Sequence, residues 1–387
     1  MKVAKLETFV ARIPYRHAET SSLINRGGVS DVIVKLTTKD GMVGWGECTR
    51  AADVKGIESA VQAMAPLVIG RSIWDTEAIQ RDLAVHAVWA FQPMTGNFAY
   101  AGIDMALWDL CGKACGQPLY RLLGGAMRDA VDYFYYMEWG TPDSIAAQAR
   151  EGVRRNYQVY YIKVGVDEQQ EEDMLEALRD TIGPAGRIRI DVNQAWTIPE
   201  AARLLKRWHL RFDIDFVEAP VRIDPVENML DLRKLVDVPF CVNEGLWREA
   251  DAYRLIKSRC GDYLCYSQYW VGSLARFHLF NHMSHLEGWR VVKHTHGEHG
   301  LTAAAGQHAM LAAPNAAAGS QQTAQMMEDD ILTKPIPIAE GPRWGLIEGP
   351  GLGVEVDEDK LRRFDADFRK RGDFPTYVGK VEMPRSS

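Results

Sequence analysis

Short apolar runs recur between residues 159 and 247, and each run ends at a charged side chain. The runs are VYYIKVG, RIRIDVNQAW, DFVEAPV and PFCVNEGLW, and their charged ends are Lys163, Asp191, Glu218 and Glu244. These ends lie 28, 27 and 26 residues apart. A strand, a helix and two loops need about that many residues, so the pattern predicts a repeated βα unit. Parallel strands of such a repeat close into a barrel whose C-terminal ends meet at one mouth, where we expect the lysine and the acids to face each other.

The region before this repeat has a different pattern. Residues 1–50 alternate like antiparallel strands, and the pair Asp40-Gly41 predicts a hairpin turn between two of them. Residues 57–116 change to the period of helices with one apolar face. We therefore expect a separate α+β domain over residues 1–128.

The remaining barrel strands are predicted by shorter segments. VDYFYYMEW, GDYLCYSQYW and WRVVKHTHGEHG predict the first, sixth and seventh strands, and the alanine-rich AAAGSQQT predicts a weak eighth. We expect the barrel to occupy residues 129–335 and a C-terminal tail to occupy residues 336–387.

Composition narrows the class of protein. The 387 residues are 47% apolar and 25% charged with a net charge of −7, which is typical of a globular enzyme, and no basic block indicates nucleic-acid binding. No apolar run reaches the roughly 18 residues of a membrane span, and the N-terminal sequence lacks the apolar core of a signal peptide. The six cysteines form no CxxC pair. We therefore expect free thiols, a cytoplasmic location, and neither nucleic acid nor membrane as a partner.

The three carboxylates are the strongest chemical signal. At one barrel mouth they repel each other strongly unless a cation lies between them. A single acid after a strand is ordinarily a solvated loop residue. Three acids in register at strand ends make that alternative a poor explanation, so we expect a metal site.

A set of motifs runs through most of the chain in a fixed order. The motifs are GWGEC at 44–48, IDMALWDLCGKACGQPLYRLLGG at 103–125, IKVG at 162–165, DVNQAW at 191–196, EAP at 218–220, NEGLW at 243–247 and GPGLGVEVDEDKL at 349–361. Each is weak alone, but the ordered set resembles the enolase superfamily, on its mandelate racemase and muconate lactonizing enzyme side. The resemblance implies an α/β fold: a modified TIM barrel, (β/α)7β, with an α+β N-terminal capping domain that the C-terminal tail completes.

The resemblance also implies a cofactor and a reaction. Mg²⁺ would be bound by Asp191, Glu218 and Glu244, and catalysis would begin by removing the proton α to a carboxylate. Carboxylate oxygens suit Mg²⁺, and a hard divalent cation stabilises the dianion that this proton removal creates. Superfamily members use a Lys or His base together with such a cation.

Acid/base residues are expected at two strand ends. Lys163 lies where the family's Lys-x-Lys pattern places its base, although Tyr161 replaces the first lysine. His294 falls on the family's catalytic histidine. Ser267 stands where relatives carry a lysine or a histidine-orienting aspartate, and a serine provides neither a base nor a negative charge. We predict Lys163 and His294 as catalytic residues, with a structural role as the alternative for each.

Other residues are expected to contact the substrate. Gln321 replaces a glutamate that relatives often carry, and an amide can still donate a hydrogen bond. The cluster His294, His296 and His299 also raises the alternative of a zinc site. The cap loop that closes over the substrate in this family contributes basic candidates, for which a flexible surface loop is the alternative. The predicted substrate-binding residues are Tyr161, Asn193, Ser267, His296, Gln321, Arg16, His17 and Arg26.

The predicted function is an Mg²⁺-dependent lyase that dehydrates a sugar acid to a 2-keto-3-deoxy acid. Lys163 and His294 would lie on opposite faces of the substrate, one removing the α-proton and the other protonating the departing β-hydroxyl. The alternatives are a racemase or epimerase using the same pair, a lactone cycloisomerase, and a metal-binding barrel without catalysis. The expected partner is a small carboxylic acid, and since family members are usually homo-oligomers we expect a homo-oligomer.

Overall fold

The computed structural model describes residues 1–49, 53–86 and 94–375. The chain begins with an antiparallel sheet in the order β1 (Val3–Thr20), β2 (Asn25–Thr38) and β3 (Val43–Cys48). Gly41 has a φ of 85° in the turn between β2 and β3, a conformation that glycine adopts without strain. The predicted strands and hairpin are confirmed.

Helices cover one face of this sheet. They are α1 (Val54–Val68), α2 (Thr76–His86), α3 (Thr95–Cys115) and α4 (Leu119–Leu122). Helix α3 approaches β3 so closely that a Cβ atom built on Gly46 would lie 1.9 Å from the carbonyl oxygen of Gly102. The glycine of the GWGEC motif therefore permits backbone-to-backbone packing that a side chain would block.

A curled parallel sheet forms the second part. Strand β4 (Ala130–Asp132) leads into a sheet that has seven strands within the described residues. In sequence order these strands are β5 (Tyr135–Met137), β6 (Val159–Lys163), β7 (Arg187–Asp191), β8 (Ile214–Glu218), β9 (Phe240–Val242), β10 (Tyr263–Tyr266) and β11 (Arg290–Lys293). Each strand pairs with the next one in the chain, which is the topology the repeat predicted.

Helices alternate with these strands and face outward. They are α5 (Pro142–Arg154), α6 (Glu168–Ile182), α7 (Ile198–Phe212), α8 (Glu227–Arg233), α9 (Glu249–Ser258), α10 (Gln268–Val271), α11 (Leu274–Leu286) and α12 (Gly300–Ala312). Helix α7 illustrates why they form. Glu200 accepts a hydrogen bond from the Thr197 N–H at 2.8 Å in a capping box, and residues at three- and four-residue spacing bury one face. Those buried residues are Ala201, Leu204, Leu205, Trp208 and Phe212.

Strand register sets the level of the charged ends. Lys163 pairs with Asp191, Asp191 with Glu218, and Glu218 with Cys241. Because parallel neighbours stay in step, the polar ends of β6, β7 and β8 lie side by side at the C-terminal mouth.

The predicted eighth strand closes the barrel without forming a regular ladder. Ala316 makes a single bridge to Val291 on β11, and Ser320 makes a single bridge to Tyr133, which follows β4. Gly319 between them has a φ of 80°, which interrupts an extended strand, and small alanines add little cross-strand packing. The segment therefore makes two isolated bridges and does not form the regular eighth strand that the sequence predicted.

The C-terminal residues return to the cap. Beyond the barrel, a 3-10 turn (Pro337–Ala339) precedes β12 (Arg343–Gly345), which pairs with β4, and the chain continues to α13 (Glu358–Arg371). On α13, Asp365 accepts a hydrogen bond from Val10 N at 2.8 Å, and Asp367 lies 3.0 Å from Arg12 on β1. The tail therefore packs on the N-terminal sheet, as the resemblance implied, while the limits at 128/129 and 335/336 stay predictions.

Two acidic side chains of the cap accept hydrogen bonds from the first residues of barrel helices. Glu47 accepts hydrogen bonds from the N–H groups of His299 at 2.7 Å and Thr302 at 2.9 Å, at the start of α12. Asp104 accepts one from Leu274 N at 2.8 Å, at the start of α11. Each cap carboxylate therefore satisfies helix N-terminal donors of the barrel and lies at the positive end of a helix dipole.

No helix in the three described ranges is long and apolar enough to cross a lipid bilayer.

We predict that Glu47→Ala lowers the free energy of unfolding by about 3 kcal/mol, because two buried N–H donors of α12 lose their acceptor. Chemical denaturation of both proteins measures this change. Glu176→Ala, which removes an exposed partner of Arg211, serves as the control and should cost less than about 1 kcal/mol. Equal losses in the two variants would contradict the capping role of Glu47.

Candidate active site

Asp191, at the end of β7, is the most heavily hydrogen-bonded carboxylate at the mouth. Its Oδ2 accepts from the Tyr161 hydroxyl at 2.6 Å and from Lys163 Nζ at 2.5 Å. Its Oδ1 accepts from Asn193 N at 2.8 Å. Asn193 has a φ of 48°, in the left-handed region that asparagine tolerates, and its side-chain oxygen accepts from Lys163 Nζ at 3.1 Å. The strand end and its turn thus hold Tyr161, Lys163, Asp191 and Asn193 together.

Glu218, at the end of β8, and Glu244, just after β9, complete the acidic group. Glu218 is buried, and its Oε2 accepts from Gln321 Nε2 at 2.8 Å. Glu244 lies two residues beyond β9, and its Oε2 is buried with no hydrogen-bond partner among the described residues. A buried carboxylate oxygen without a donor is costly unless a cation or water satisfies it.

Electrostatics at the mouth disfavours three free negative charges. Burial, followed by the charge of Asp191, raises the pKa of Glu218 well above its ordinary value. The same two causes raise the pKa of Glu244 to about 7. Bringing a divalent cation between these oxygens would remove the repulsion, and an all-oxygen donor set suits a hard cation. The residues present therefore fit the Mg²⁺ that the resemblance implies.

A second set of donors combines Glu218 with two cysteines of the neighbouring strands. Ligand atoms of Glu218, Cys241 and Cys265 lie within 4.8 Å of one another, and among the described residues this is the only such convergent group. Within the described residues, the oxygens of Asp191, Glu218 and Glu244 do not converge to that degree. Burial raises the pKa of Cys241 to about 11 and that of Cys265 well above its ordinary value, so both thiols stay protonated. We assign the two cysteines to the packing of the barrel interior.

Lys163 is held as an ammonium group in this arrangement. Burial alone would lower its pKa, but the charges of Asp191, Glu19 and Glu218 raise it above the ordinary lysine value. Its side chain is only 13% exposed, so those charges act in a region with little screening water.

His294 follows β11 and lies in an aromatic environment. Its Nδ1 is 2.8 Å from the Tyr269 hydroxyl, and the ring of Trp270 lies 5.2 Å away, between centroids. Burial, followed by the charge of His296, lowers the pKa of His294 well below its ordinary value, and Lys163 adds to this effect. The imidazole is therefore neutral at neutral pH.

The cap contributes a buried ion pair next to these groups. Arg26 lies 2.6 Å from Glu19, and Arg26 Nη2 also donates to the carbonyl oxygen of His296 at 3.0 Å. Burial by itself raises the pKa of Glu19, but the charges of Arg26 and Lys163 outweigh it and lower the pKa below the ordinary value. The side chain of His296 packs edge-on against Phe98 and Trp270.

Three predicted substrate contacts are placed differently from the rest. Ser267 is fully buried, and its hydroxyl donates to Gln268 Oε1 at 2.6 Å. Arg16 is exposed and donates to the Met327 carbonyl at 3.0 Å, and His17 is exposed beside it. The structure does not bring these three side chains to the group around Asp191, so their contact with substrate stays a prediction.

The structure also identifies residues that sequence patterns missed. Tyr269 and Trp270 border His294, and Glu19 pairs with Arg26. Asn97 on α3 donates to the Trp247 carbonyl at 2.6 Å and to the Trp270 carbonyl at 2.8 Å, which joins the cap to two loops of the mouth. The SQYW segment directly after β10 was the available signal for Tyr269 and Trp270, but nothing in it indicates a histidine partner.

The zinc alternative is not supported by the positions of the histidines. His299 Nε2 lies 3.2 Å from the Ala11 carbonyl oxygen, in the cap interface, whereas His294 contacts Tyr269. In the described part of the chain no histidine belongs to a convergent group of metal-ligating atoms.

Comparison with known families assigns nearly the whole chain. Residues 5–124 match the mandelate racemase / muconate lactonizing enzyme N-terminal domain, and residues 144–360 match the enolase C-terminal domain-like family. This chain belongs to the enolase superfamily. The two matches, in this order, confirm that the chain is of the mandelate racemase and muconate lactonizing enzyme type.

Relatives within the enolase superfamily carry several activities. The chain is 26% identical to the N-succinyl-L-Arg/Lys racemase of Bacillus cereus over 376 residues, covering 94% of this chain and 97% of the relative. It is 28% identical to a D-galactonate dehydratase family member of Streptomyces bingchenggensis over 386 residues, covering 88% and 91%. The crystal structure of an isomerase from Streptomyces coelicolor A3(2) superposes with a TM-score of 0.85 at 28% identity, covering 96% and 99%. Other relatives are epimerases and cycloisomerases, so the similarity establishes an enolase-superfamily enzyme without deciding its reaction.

We predict that Glu244→Gln stabilises the metal-free protein by up to about 3 kcal/mol at pH 8. Folding raises the pKa of Glu244 from about 4.5 to about 7, so the free energy of unfolding of the wild type falls as the pH rises through this interval. The amide of the variant does not titrate, so the variant does not lose this stability. Urea unfolding in a chelator from pH 4.5 to pH 8 measures the difference, which should vanish at the acidic end.

We also predict that Mg²⁺ raises the melting temperature of the wild type and that the same variant loses this rise. Asp262→Asn is the matched control. Asp262 directly precedes β10, at the end of the strand that lies away from the mouth, and pairs with Arg233. A Glu244→Gln protein that responds to Mg²⁺ like this control would show that Glu244 is not a ligand.

Proposed function

We propose that the protein is an Mg²⁺-dependent lyase that dehydrates a sugar acid, or a similar α-hydroxy acid, to a 2-keto-3-deoxy acid. The observation that carries this proposal is the unequal pair of acid/base groups: Lys163 is an amine surrounded by carboxylates, and His294 is a neutral imidazole with a phenol as its partner. Dehydration needs a base for the α-proton and a proton donor for the departing hydroxyl, which such a pair provides.

Asp191, Glu218 and Glu244 would hold the cation. When bound, Mg²⁺ supplies positive charge to the ene-diolate and offsets the charge of Asp191 on Lys163, so that Lys163 releases its proton more readily. Gln321 restrains Glu218, and Asn193 restrains Lys163, each through one hydrogen bond.

Lys163 would act as the base. The bond between the α-carbon and its hydrogen breaks, the proton goes to Nζ of Lys163, and the electron pair remains on the substrate as an ene-diolate. The 13% exposure of the Lys163 side chain leaves it reachable from the mouth, while Asp191 and Asn193 fix its direction through hydrogen bonds. Alignment of this kind is a large part of what a site contributes to rate.

His294 would act on the departing group. The bond between the β-carbon and its hydroxyl breaks, the departing oxygen takes a proton from the imidazole, and water leaves. A neutral imidazole N–H can serve as the electrophile toward an oxygen. The imidazolate that remains regains its proton from the Lys163 ammonium through solvent, and the enol product becomes the 2-keto acid.

An isomerase is the second candidate, and the racemases and epimerases among the relatives favour it. In that reaction Lys163 and His294 would each remove and return the α-proton on opposite faces. In the described structure His294 has no carboxylate partner that would raise its basicity. An isomerase needs His294 both to remove and to return the α-proton. A weakly basic imidazole suits only one of these two steps, which counts against this candidate. A cycloisomerase is the third reaction represented among the relatives.

Incubation with Mg²⁺ in D₂O and a panel of sugar acids tests the proposal. We expect one or more acids to exchange the α-proton and to form a keto acid. Lys163→Ala should lower both rates by about 10²–10⁴-fold, because the base is removed. Proton NMR follows the exchange, and a keto-acid assay follows the product.

The controls in this experiment separate the alternatives. Lys234→Ala, at an exposed lysine paired with Asp231, should leave both rates unchanged. Exchange of the α-proton without keto acid would indicate an isomerase. No exchange with any acid in wild type or in Lys163→Ala would indicate a metal-binding barrel without catalysis.

A further inference from the structure

Tyr269 makes the closest polar contact of the His294 ring. Tyr269 lies on α10, the short helix that begins directly after Ser267, and is fully buried. Its hydroxyl is 2.8 Å from His294 Nδ1 and 3.2 Å from the His294 carbonyl oxygen. A phenol hydroxyl has one hydrogen to donate, so it donates either to the ring or to the carbonyl.

Two observations favour donation to the ring. The contact with Nδ1 is the shorter one, at 2.8 Å against 3.2 Å. The carbonyl oxygen has another donor, the ammonium of Lys293 at 3.1 Å, so it does not depend on the Tyr269 hydroxyl. Burial also raises the pKa of Tyr269 well above its ordinary value, so the phenol keeps its hydrogen at neutral pH.

Donation to Nδ1 determines which nitrogen of a neutral imidazole carries the proton. With Nδ1 as the acceptor, the hydrogen lies on Nε2. In the described structure His294 Nε2 has no hydrogen-bond partner of its own, and it is not sealed from solvent. The ring therefore presents an N–H donor rather than a lone pair to the mouth.

The position of Tyr269 is itself well determined. Its ring packs on Phe98 of the cap, with 5.2 Å between centroids. The neighbouring Trp270 carbonyl is held by Asn97, and Gln268 Nε2 donates to the Thr302 carbonyl at 3.2 Å. Contacts from the cap and from α12 thus fix α10 on both sides.

We propose that Tyr269 is a positioning residue that holds His294 in the tautomer with its proton on Nε2, so that His294 faces the substrate as a donor and Lys163 is the base. Tyr269 replaces the carboxylate that would make the histidine more basic, and it lies two residues beyond the position where that carboxylate was expected. The assignment of roles rests on the proposed function, whereas the tautomer does not.

The tautomer is measured without substrate by long-range ¹H–¹⁵N correlation on protein labelled with ¹⁵N-histidine. His294→Gln identifies the His294 signals among those of the 10 histidines. We expect the wild type at pH 7.5 to show the proton on Nε2, and Tyr269→Phe to show a mixture of tautomers or the proton on Nδ1. A wild-type proton on Nδ1, or a Tyr269→Phe spectrum identical to that of the wild type, would overturn the proposal.

Tyr266→Phe is the matched control. Tyr266 is also buried, but its hydroxyl lies 3.2 Å from the Phe277 carbonyl oxygen and 2.7 Å from Asn281 Oδ1, away from His294. Both variants lose one buried hydroxyl, so comparable unfolding midpoints would show that stability is not the difference. We expect the Tyr266→Phe spectrum of His294 to match that of the wild type, and a change equal to that in Tyr269→Phe would overturn the specific role of Tyr269.

A kinetic split tests the assignment of roles. With an acid turned over by the wild type, Tyr269→Phe should lower keto-acid formation by at least about tenfold while α-proton exchange by Lys163 falls by less than about threefold. Equal losses in both rates would overturn the donor role of His294. If no acid is turned over, the proposed function fails, and the NMR result still decides the tautomer.

Discussion

Repulsion among buried carboxylates at the barrel mouth is the constraint on which the rest of the site depends. Asp191 and Glu218 end consecutive strands, Glu244 follows the next strand, and parallel register brings the first two side by side. In a region with little water such charges are expensive, and the raised pKa values of Glu218 and Glu244 express that cost. Lys163, Tyr161 and Gln321 donate hydrogen bonds that offset part of the cost, and a hard cation would offset more of it.

The cap is part of the site as well as its cover. Glu47 and Asp104 accept hydrogen bonds at the starts of α12 and α11, and Asn97 holds two carbonyls of the mouth loops. The same domain supplies the Glu19–Arg26 pair beside Lys163 and His296. Displacement of the cap would therefore expose helix N-termini and move charges at the mouth together.

The surroundings of His294 and Lys163 differ in kind, and this difference gives the site its direction. Carboxylates surround the lysine, whereas aromatic rings and cationic groups surround the histidine. Charge favours the protonated amine on one side, and burial favours the neutral imidazole on the other. In the proposed dehydration, the bound cation would let the amine accept the α-proton, and the imidazole N–H would donate to the departing hydroxyl.

The sequence by itself determined the repeat, the strand ends and the identity of the acids, because strand periodicity and loop spacing are local properties of the chain. Its ordered motifs also predicted the superfamily, the cap and the returning tail, which the fold and the comparisons confirm. Only the tertiary structure decided the partners of these residues. Tyr269, rather than Ser267, contacts His294, and Arg26 pairs with Glu19. Such pairings depend on how burial and ring packing orient side chains from separate elements, and no spacing along one strand records that orientation.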